Sequence, residues 1–390
     1  MQFSEPRVLV VSHNVFSASG NMGKTMMHML AGISPDNLAQ LYFHQEIPTR
    51  SCCLRYFRIT DSNVLHALFT RRAEYRVFEA ADIDESASQS RTDTGSLAKI
   101  YQFSRRRTPL IYFLRDLMWR LGKWNTPALL EWVQSFSPDV IFFAAGDYAF
   151  PYRIALRLSA LLHIPIVMWC ADDFYIEPLR YGPLLRRMQC RRLVKLAEKI
   201  VRRSGTVVTI SDMMQRDYAR LFQTPAETVR ISGKPNPYAL PEESRSGIVY
   251  AGERNPAILQ QLKEENGLTY CGRIPAQEVE RVLGASKFII FTEAFDRSSI
   301  CRTKYSLSTK IAESLRSGAC ILAYGPDEIA SIDYLKQHHS ACILREAGEL
   351  PGTVQRLCAA PEEYRAYTQS ARSLAEQFHS AECNETRMKE

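Results

Sequence analysis

At 390 residues the chain has room for two domains of ordinary size, each with its own core. An apolar fraction of 46% and a charged fraction of 23% are those of a globular protein, and no apolar run reaches the roughly 18 residues that a membrane span needs. The formal charge of +7 is too small to argue for a nucleic-acid partner and is only a weak bias toward anionic ligands or a lipid surface. Met1 to Arg7 lacks the basic start and long apolar core of a signal peptide, so the expected location is cytoplasmic. The ten cysteines have no metal-ligand or C-x-x-C spacing, and the adjacent Cys52 and Cys53 cannot readily bridge. Reduced, mostly buried thiols are expected.

In chain order, Arg7 to Ser12 (RVLVVS) is a continuous apolar run, the pattern of a parallel strand covered on both faces. A loop rich in Ser, Asn and Gly follows, with a helix beginning at Met26; strand, glycine-bearing turn and helix are the opening unit of a nucleotide-binding domain. Within that loop Gly23-Lys24-Thr25 matches the end of a phosphate-binding P-loop, but the full motif wants glycine where Ala18 stands. A plain structural turn at Gly23 is the other reading. Strands are expected at Ala39 to Phe43 and near Cys53 to Ile59, and Ala81 to Ala98, almost without large apolar residues, reads as a mobile loop.

Ser104 to Trp124 mixes Leu110, Tyr112, Phe113, Leu114, Leu117, Trp119 and Leu121 with Arg105, Arg106, Arg107, Arg115, Arg120 and Lys123. The mixture suits either a helix lying on an anionic membrane surface or a core helix with arginines at its rim. Helix, strand, helix and strand then follow at Leu129 to Phe136, Asp139 to Ala145, Tyr152 to Leu162 and Ile164 to Cys170, an alternation that defines a doubly wound α/β domain. Asp172 and Asp173 fall at the carboxyl end of a strand, where ligands bind in open α/β sheets, with helix capping as the alternative. Leu184 to Arg203 is a long basic helix on a solvated or membrane-facing surface, Thr206 to Ile210 a strand, and Ser211-Asp212 the cap of a helix reaching about Leu221. Lys234 to Ser246, rich in Pro and charge, is the expected interdomain linker.

The second half opens with the strand Gly247 to Ala251, ending in Gly252 with Arg254 close by. A short helix (Pro256 to Glu265), a strand (Leu268 to Cys271), a helix (Ala276 to Gly284) and a strand (Lys287 to Thr292) come next. Glu293 to Lys304 reads as a polar loop whose Glu293 is able to reach a ligand. In Tyr305 to Pro326 (YSLSTKIAESLRSGACILAYGP), Ser306, Ser308 and Thr309 offer a cap, Lys310 to Leu315 a helix that Gly318 ends, and Ala319 to Tyr324 a buried strand. A helix start presents unpaired amides and a positive dipole end, so with Lys310 beside it the site suits a phosphate. Glu313, one turn further on the same side, is able to accept hydrogen bonds from a ribose diol. The plain alternative is a surface helix whose Lys and Glu sit in water. A helix from Asp327, a short strand at Ala341 to Leu344 and terminal helices from Pro361 complete the chain.

The order Ser/Lys, Glu, Leu, Ser-Gly, apolar strand, Gly-Pro resembles the donor-site helix of the retaining glycosyltransferases of family 4, and Thr209 to Met214 with Tyr218 resembles the end of their N-terminal half. The resemblance implies an α/β, GT-B fold of two Rossmann-like domains facing a central cleft: residues 1–238 on the acceptor side, a compact 239–360 binding a nucleotide sugar, and terminal helices, 361–390, crossing back to the first domain. It implies transfer of a sugar from a nucleoside diphosphate donor, with retention, onto a saccharide or lipid-linked saccharide, with no catalytic metal. By the same resemblance Ser308, Thr309 and Lys310 hold the diphosphate, Glu313 the ribose, and Arg254 after Gly252 clamps the diphosphate. Gly23 approaches the sugar or acceptor, and Asp172 and Asp173 contact the acceptor or the transition state. His13, in the loop after the first strand, is placed to contact the acceptor or sugar, with a structural histidine as the alternative reading. Many members carry a further glutamate eight residues before the ribose-binding one; here that position is Tyr305. Two other classes stay open, a non-catalytic scaffold of the same fold and a P-loop NTPase working through Lys24.

Overall fold

The computed structural model describes residues 5–17, 21–48, 52–79, 83, 109–230, 247–249, 255–265, 267–380, 382–384 and 386. The expected loop 81–98 (Ile83 apart), the linker 234–246, Gly252 and Arg254 lie outside them. The chain divides into two compact units, Met1–Ile231 with Cys301–Ser306 and Asn384–Glu390, and Ser232–Ile300 with Leu307–Cys383.

The first unit is built on β1 (Val8–Ser12), whose five residues are all buried. The helix α1 (Asn21–Met29) starts earlier than expected and absorbs Gly23, Lys24 and Thr25. After β2 (Leu38–Tyr42) and β3 (Arg55–Arg58) comes α2 (Asp61–Thr70), which no apolar period announces. A capping box starts it: the Asn63 amide donates to the Thr60 hydroxyl, and the Asn63 side-chain oxygen accepts from the Thr60 amide at 2.9 Å. The chain continues through β4 (Arg76–Glu79), α3 (Pro109–Leu121), α4 (Pro127–Phe136), β5 (Val140–Ala144), α5 (Ala149–Leu162), β6 (Ile166–Cys170), α6 (Glu177–Tyr181), α7 (Leu184–Ser204), β7 (Val207–Thr209), α8 (Asp212–Phe222) and β8 (Ala226–Thr228). Ser211 caps α8 as expected, accepting from the Met214 amide at 3.2 Å.

The strands form one eight-stranded sheet in the order β4-β3-β2-β1-β5-β6-β7-β8, parallel throughout except for the edge strand β4. Its centre is fully apolar: β1 pairs with β2 from Val8↔Leu38 and with β5 from Val8↔Val140, and Leu9, Val10, Ile141, Phe143 and Met168 are buried completely. Strand order reverses between β1 and β5, so the loops leaving these two strands diverge at their carboxyl ends and open a crevice there.

In the second unit β9 (Gly247–Val249), α9 (Pro256–Glu264) and β10 (Leu268–Tyr270) make a parallel pair with its helix. After α10 (Ala276–Gly284), β11 (Phe288–Thr292) joins β12 (Cys320–Tyr324) and β13 (Cys342–Leu344) in a second parallel sheet, ordered β11-β12-β13. Between them, Arg297–Thr303, expected as loop, is a helix, α11; the Asp296 carboxylate starts it by accepting from the Ser299 amide at 3.0 Å. The helix α12 (Thr309–Arg316) buries Ile311, Ala312 and Leu315, and Gly318 beyond it takes φ +85°, the left-handed conformation that stops a helix. Then come α13 (Ala330–Gln337), α14 (Leu350–Ala359) and α15 (Pro361–Phe378). The last of these, α15, lies against α12 and β12 within the second unit. The reason is the core it closes, where Tyr364 and Tyr367 cover Cys320, Leu322, Cys342 and Leu344. All ten cysteines are free thiols, and burial pushes the Cys320 thiol up to about 12.

Gly23 is a position where the fold requires glycine, because a Cβ there would collide with the Val15 carbonyl oxygen and come within 2.8 Å of the Ser17 amide nitrogen. Gly23→Ala is expected to destabilise the protein by about 1–3 kcal/mol. Urea titration checks this, and an unchanged midpoint would contradict the close approach.

Candidate active site

In the first unit the crevice between β1 and β5 is lined by rings. His13 follows β1, and its carbonyl accepts from the Phe43 amide at 3.2 Å, joining it to the end of β2. The His13 ring lies 5.7 Å from that of His44 and 5.1 Å from that of Tyr148, which follows β5. Tyr148 packs in turn on Tyr112 at 5.1 Å, with the Arg115 guanidinium 3.9 Å from its ring centre. The Tyr112 hydroxyl donates to the Asp147 carboxylate, and the Gln189 amide donates to the Asp147 carbonyl at 2.9 Å. Burial, reinforced by the Asp147 charge, pushes the Tyr112 hydroxyl far above its ordinary pKa, so it stays a donor. His13, His44 and Tyr148 are each partly exposed and together present a platform of ring faces at the crevice. Neither His44 nor Tyr148 was singled out from the sequence. The strand-end position of Asp147 was the available signal.

Asp172 and Asp173 stand after β6 but do not share a role. The Asp173 carboxylate accepts from the amides of Tyr175 (3.0 Å), Ile176 (3.0 Å) and Glu177 (2.7 Å) and from the Tyr218 hydroxyl (2.8 Å). Four donors hold it in the turn that opens α6, the arrangement of the capping alternative rather than of a group turned toward a substrate. Asp172 accepts from the Ser306 hydroxyl at 2.9 Å, Glu177 from Lys304 at 2.9 Å, and Asp217 from the Tyr305 hydroxyl at 2.8 Å. The Tyr305 carbonyl completes the set by accepting from the Ser211 hydroxyl at 2.6 Å. Segment Cys301–Ser306 is thereby seated on the acidic edge of the first unit, and Tyr305 is buried there.

The second unit assembles a different site, at the carboxyl ends of β11 and β12. Glu293 follows β11, its amide donating to the Tyr324 carbonyl at 2.9 Å. Gly325 gives it room, since a Cβ there would stand 2.8 Å from the Glu293 Cβ and 3.0 Å from Ile332. Across from it α12 begins. Its cap residue is Ser308, as expected, but the Ser308 side chain makes no capping bond; its amide donates to the buried Ser331 hydroxyl at 3.0 Å. The Ile311 amide returns to the Ser308 carbonyl at 3.0 Å, so the helix start offers an anion the amides of the exposed Thr309 and Lys310. Burial raises the Glu293 carboxyl above its ordinary pKa, opposed by the Lys310 charge and by a hydrogen bond with Ser331. Glu293, Ser308, Thr309 and Lys310, each proposed from the sequence, thus meet at one helix mouth, with Glu313 one turn along α12. Ser331, which ties the helix start to α13, and Phe295, whose exposed ring lies 4.9 Å from that of Tyr324, were not foreseen. Among the described residues no group of three or more His, Cys, Asp or Glu side chains converges to hold a metal ion.

These features, parallel sheets with polar clusters at their carboxyl ends in each of two units, define an α/β protein with the GT-B fold, and solved structures bear this out. HepE of Anabaena in complex with UDP is similar with a TM-score of 0.61 and 10% identity over 98% of each chain. Sucrose-phosphate synthase from Thermosynechococcus elongatus is similar with a TM-score of 0.59 and 9% identity, over 98% of this chain and 97% of that one. For the N-terminal domain of Candida albicans trehalose-6-phosphate phosphatase the TM-score is 0.56 and the identity 10%, over 98% and 96%. Within the fold, the family whose model the sequence matches, over residues 63–232, is Glycosyltransferase Family 4. Comparison with curated protein sequences found no match.

Two outcomes separate structural from functional carboxylates. Asp173→Ala, which orphans four donors, is expected to cost about 2–3 kcal/mol of stability, measured by thermal or urea unfolding; an intact fold with lost activity would instead assign Asp173 to catalysis. For Glu293 the folded chain binds the carboxyl proton more tightly than the unfolded chain does. The stabilisation is complete below the unfolded pKa and is lost as pH rises through the raised folded value. Glu293→Gln should therefore melt higher than wild type at pH 7, with the gap closing in acid.

Proposed function

We propose that the protein is a retaining glycosyltransferase that moves a sugar from a nucleoside diphosphate donor to a saccharide or lipid-linked saccharide acceptor. The observation that carries this reading is the meeting of Glu293, Lys310 and the α12 amides at one helix mouth. The family match over residues 63–232 and the likeness to HepE, solved with UDP and with UDP-glucose, support a sugar nucleotide, and a uridine one first. The role is one in surface polysaccharide or glycoconjugate synthesis, with hexosyl transfer, on the cytoplasmic side of a membrane.

In this mechanism the second unit holds the donor. Lys310 and the amides of Thr309 and Lys310 neutralise the diphosphate as its bond to the sugar's anomeric carbon breaks, which is catalysis by charge complementarity. Arg254 assists and Glu313 accepts from the ribose hydroxyls. The acceptor hydroxyl attacks from the face the diphosphate leaves, and its proton passes to the departing phosphate oxygen, so no protein base and no metal ion is required. The ring platform of His13, His44 and Tyr148 is the acceptor-side surface of the first unit, with Gly23 keeping its loop close.

A second reading, a non-catalytic binding protein of the same fold, draws on Tyr305, whose hydroxyl is engaged by Asp217 where the family carries a glutamate. Calorimetry and turnover distinguish the two. Lys310→Ala should lower kcat by about 10²–10³-fold, as for loss of one oxyanion donor. Glu313→Ala should weaken UDP-glucose binding about tenfold, near the worth of one or two hydrogen bonds. Donor affinity and turnover unchanged in both variants would remove the site assignment, and binding without turnover in wild type would favour the scaffold.

A further inference from the structure

The helix α3 sits in the first unit the wrong way round for a core helix. Its inward face carries Tyr112, Arg115 and Trp119, all buried, and two of these grip one carboxylate: Arg115 Nε lies 3.0 Å and Trp119 Nε1 2.7 Å from Asp61 Oδ1. Its outward face is apolar, with Leu110, Phe113, Leu114, Leu117 and Leu121 at the spacing of one helical stripe. Leu110 and Leu121, one at each end, are 64% and 65% exposed. The arginine that a surface helix would turn to water is inside, and the leucines are outside.

The start of α7 extends this face. Leu184 and Leu185 are 71% and 60% exposed, and Met188 is exposed beside them. Arg192 lies 5.9 Å from the Phe113 ring and Arg186 4.9 Å from the Tyr112 ring, so the two helices adjoin. From Leu184 to Ala197 the sequence holds Arg186, Arg187, Arg191, Arg192 and Lys195 and no acidic residue. On α3 the only acidic side chain, Asp116, is paired with Arg120 and Arg153. Among the described residues no helix is long and apolar enough to cross a membrane.

We propose that the outward faces of α3 and the start of α7 form a docking surface for an anionic lipid bilayer, the leucines and Phe113 entering the acyl boundary and the α7 basic residues resting on the head groups. Charge decides the occupant. A second copy of the chain joined through a two-fold axis would set the same basic stretch of α7 against itself, whereas an anionic lipid surface complements it. On its inner side α3 borders the Tyr148 ring platform through Tyr112, so docking by its outer side would hold that platform close to a lipid-linked acceptor in the bilayer. That last point alone rests on the proposed transferase function.

The test is flotation of the full chain with phosphatidylcholine vesicles that do or do not contain phosphatidylglycerol. The protein should float with the anionic vesicles and not with the neutral ones, and raising salt should release it. Leu114→Asp with Leu184→Asp should abolish flotation. Arg187→Gln with Arg191→Gln should weaken it about 25-fold, from about 1 kcal/mol for each charge near the surface. All four positions are exposed, and circular dichroism establishes that the variants remain folded. No flotation with anionic vesicles, equal flotation of the variants, or a dimer in sedimentation that Leu114→Asp disperses without any vesicle binding would overturn the proposal. None of these readouts needs donor or acceptor, so failure of docking and failure of the transferase reading are separately visible.

Discussion

The constraint on which the first unit depends is the complete burial of β1 between two parallel neighbours, β2 on one side and β5 on the other. A strand so placed has no edge and no wet face, so only its carboxyl-terminal loop is free for chemistry. Because successive connections run to opposite sides of β1, its loop and that of β5 part rather than pack. His13 and Tyr148 are brought ring to ring by that divergence, although 135 residues separate them in the chain.

Charge is used differently in the two units. In the first, carboxylates are structural: Asp61 is gripped by Arg115 and Trp119, Asp173 by four donors, Asp212 by Arg230, and Glu177 and Asp217 by Lys304 and Tyr305. Each such acid is buried or half-buried and bonded, as the desolvation of a charge demands. Glu293 in the second unit differs, being the carboxyl that burial holds above its ordinary pKa among the described residues. Acids perturbed by burial beside a charged partner cluster at functional sites and also occur in structural ion-pair networks.

The family match and the motif reading fall on different halves of the chain. The match spans residues 63–232 in the first unit, while the residues read from the sequence as a donor-binding motif lie between Gly247 and Pro326. A helix start with Lys and Glu one turn apart is short and recurs by chance, so it carries chemistry legibly but ancestry weakly.

What the sequence determined by itself was whatever depends on local period and local capping. The apolar runs of β1, β5, β6 and β12, the Ser211 cap, Gly318 at the end of α12, and the set Ser308, Thr309, Lys310 and Glu313 all follow from neighbours along the chain. Tertiary structure decided the rest, because burial is a property of what arrives from elsewhere. It turned the apolar stripe of α3 outward by offering Asp61 to Arg115 and Trp119, and it engaged Tyr305 in hydrogen bonds with the distant Asp217 and Ser211. It also kept α15 on the second unit through a core that Tyr364 and Tyr367 close. A residue's type states what it is able to bind, and only the folded chain states whether that capacity has already been met.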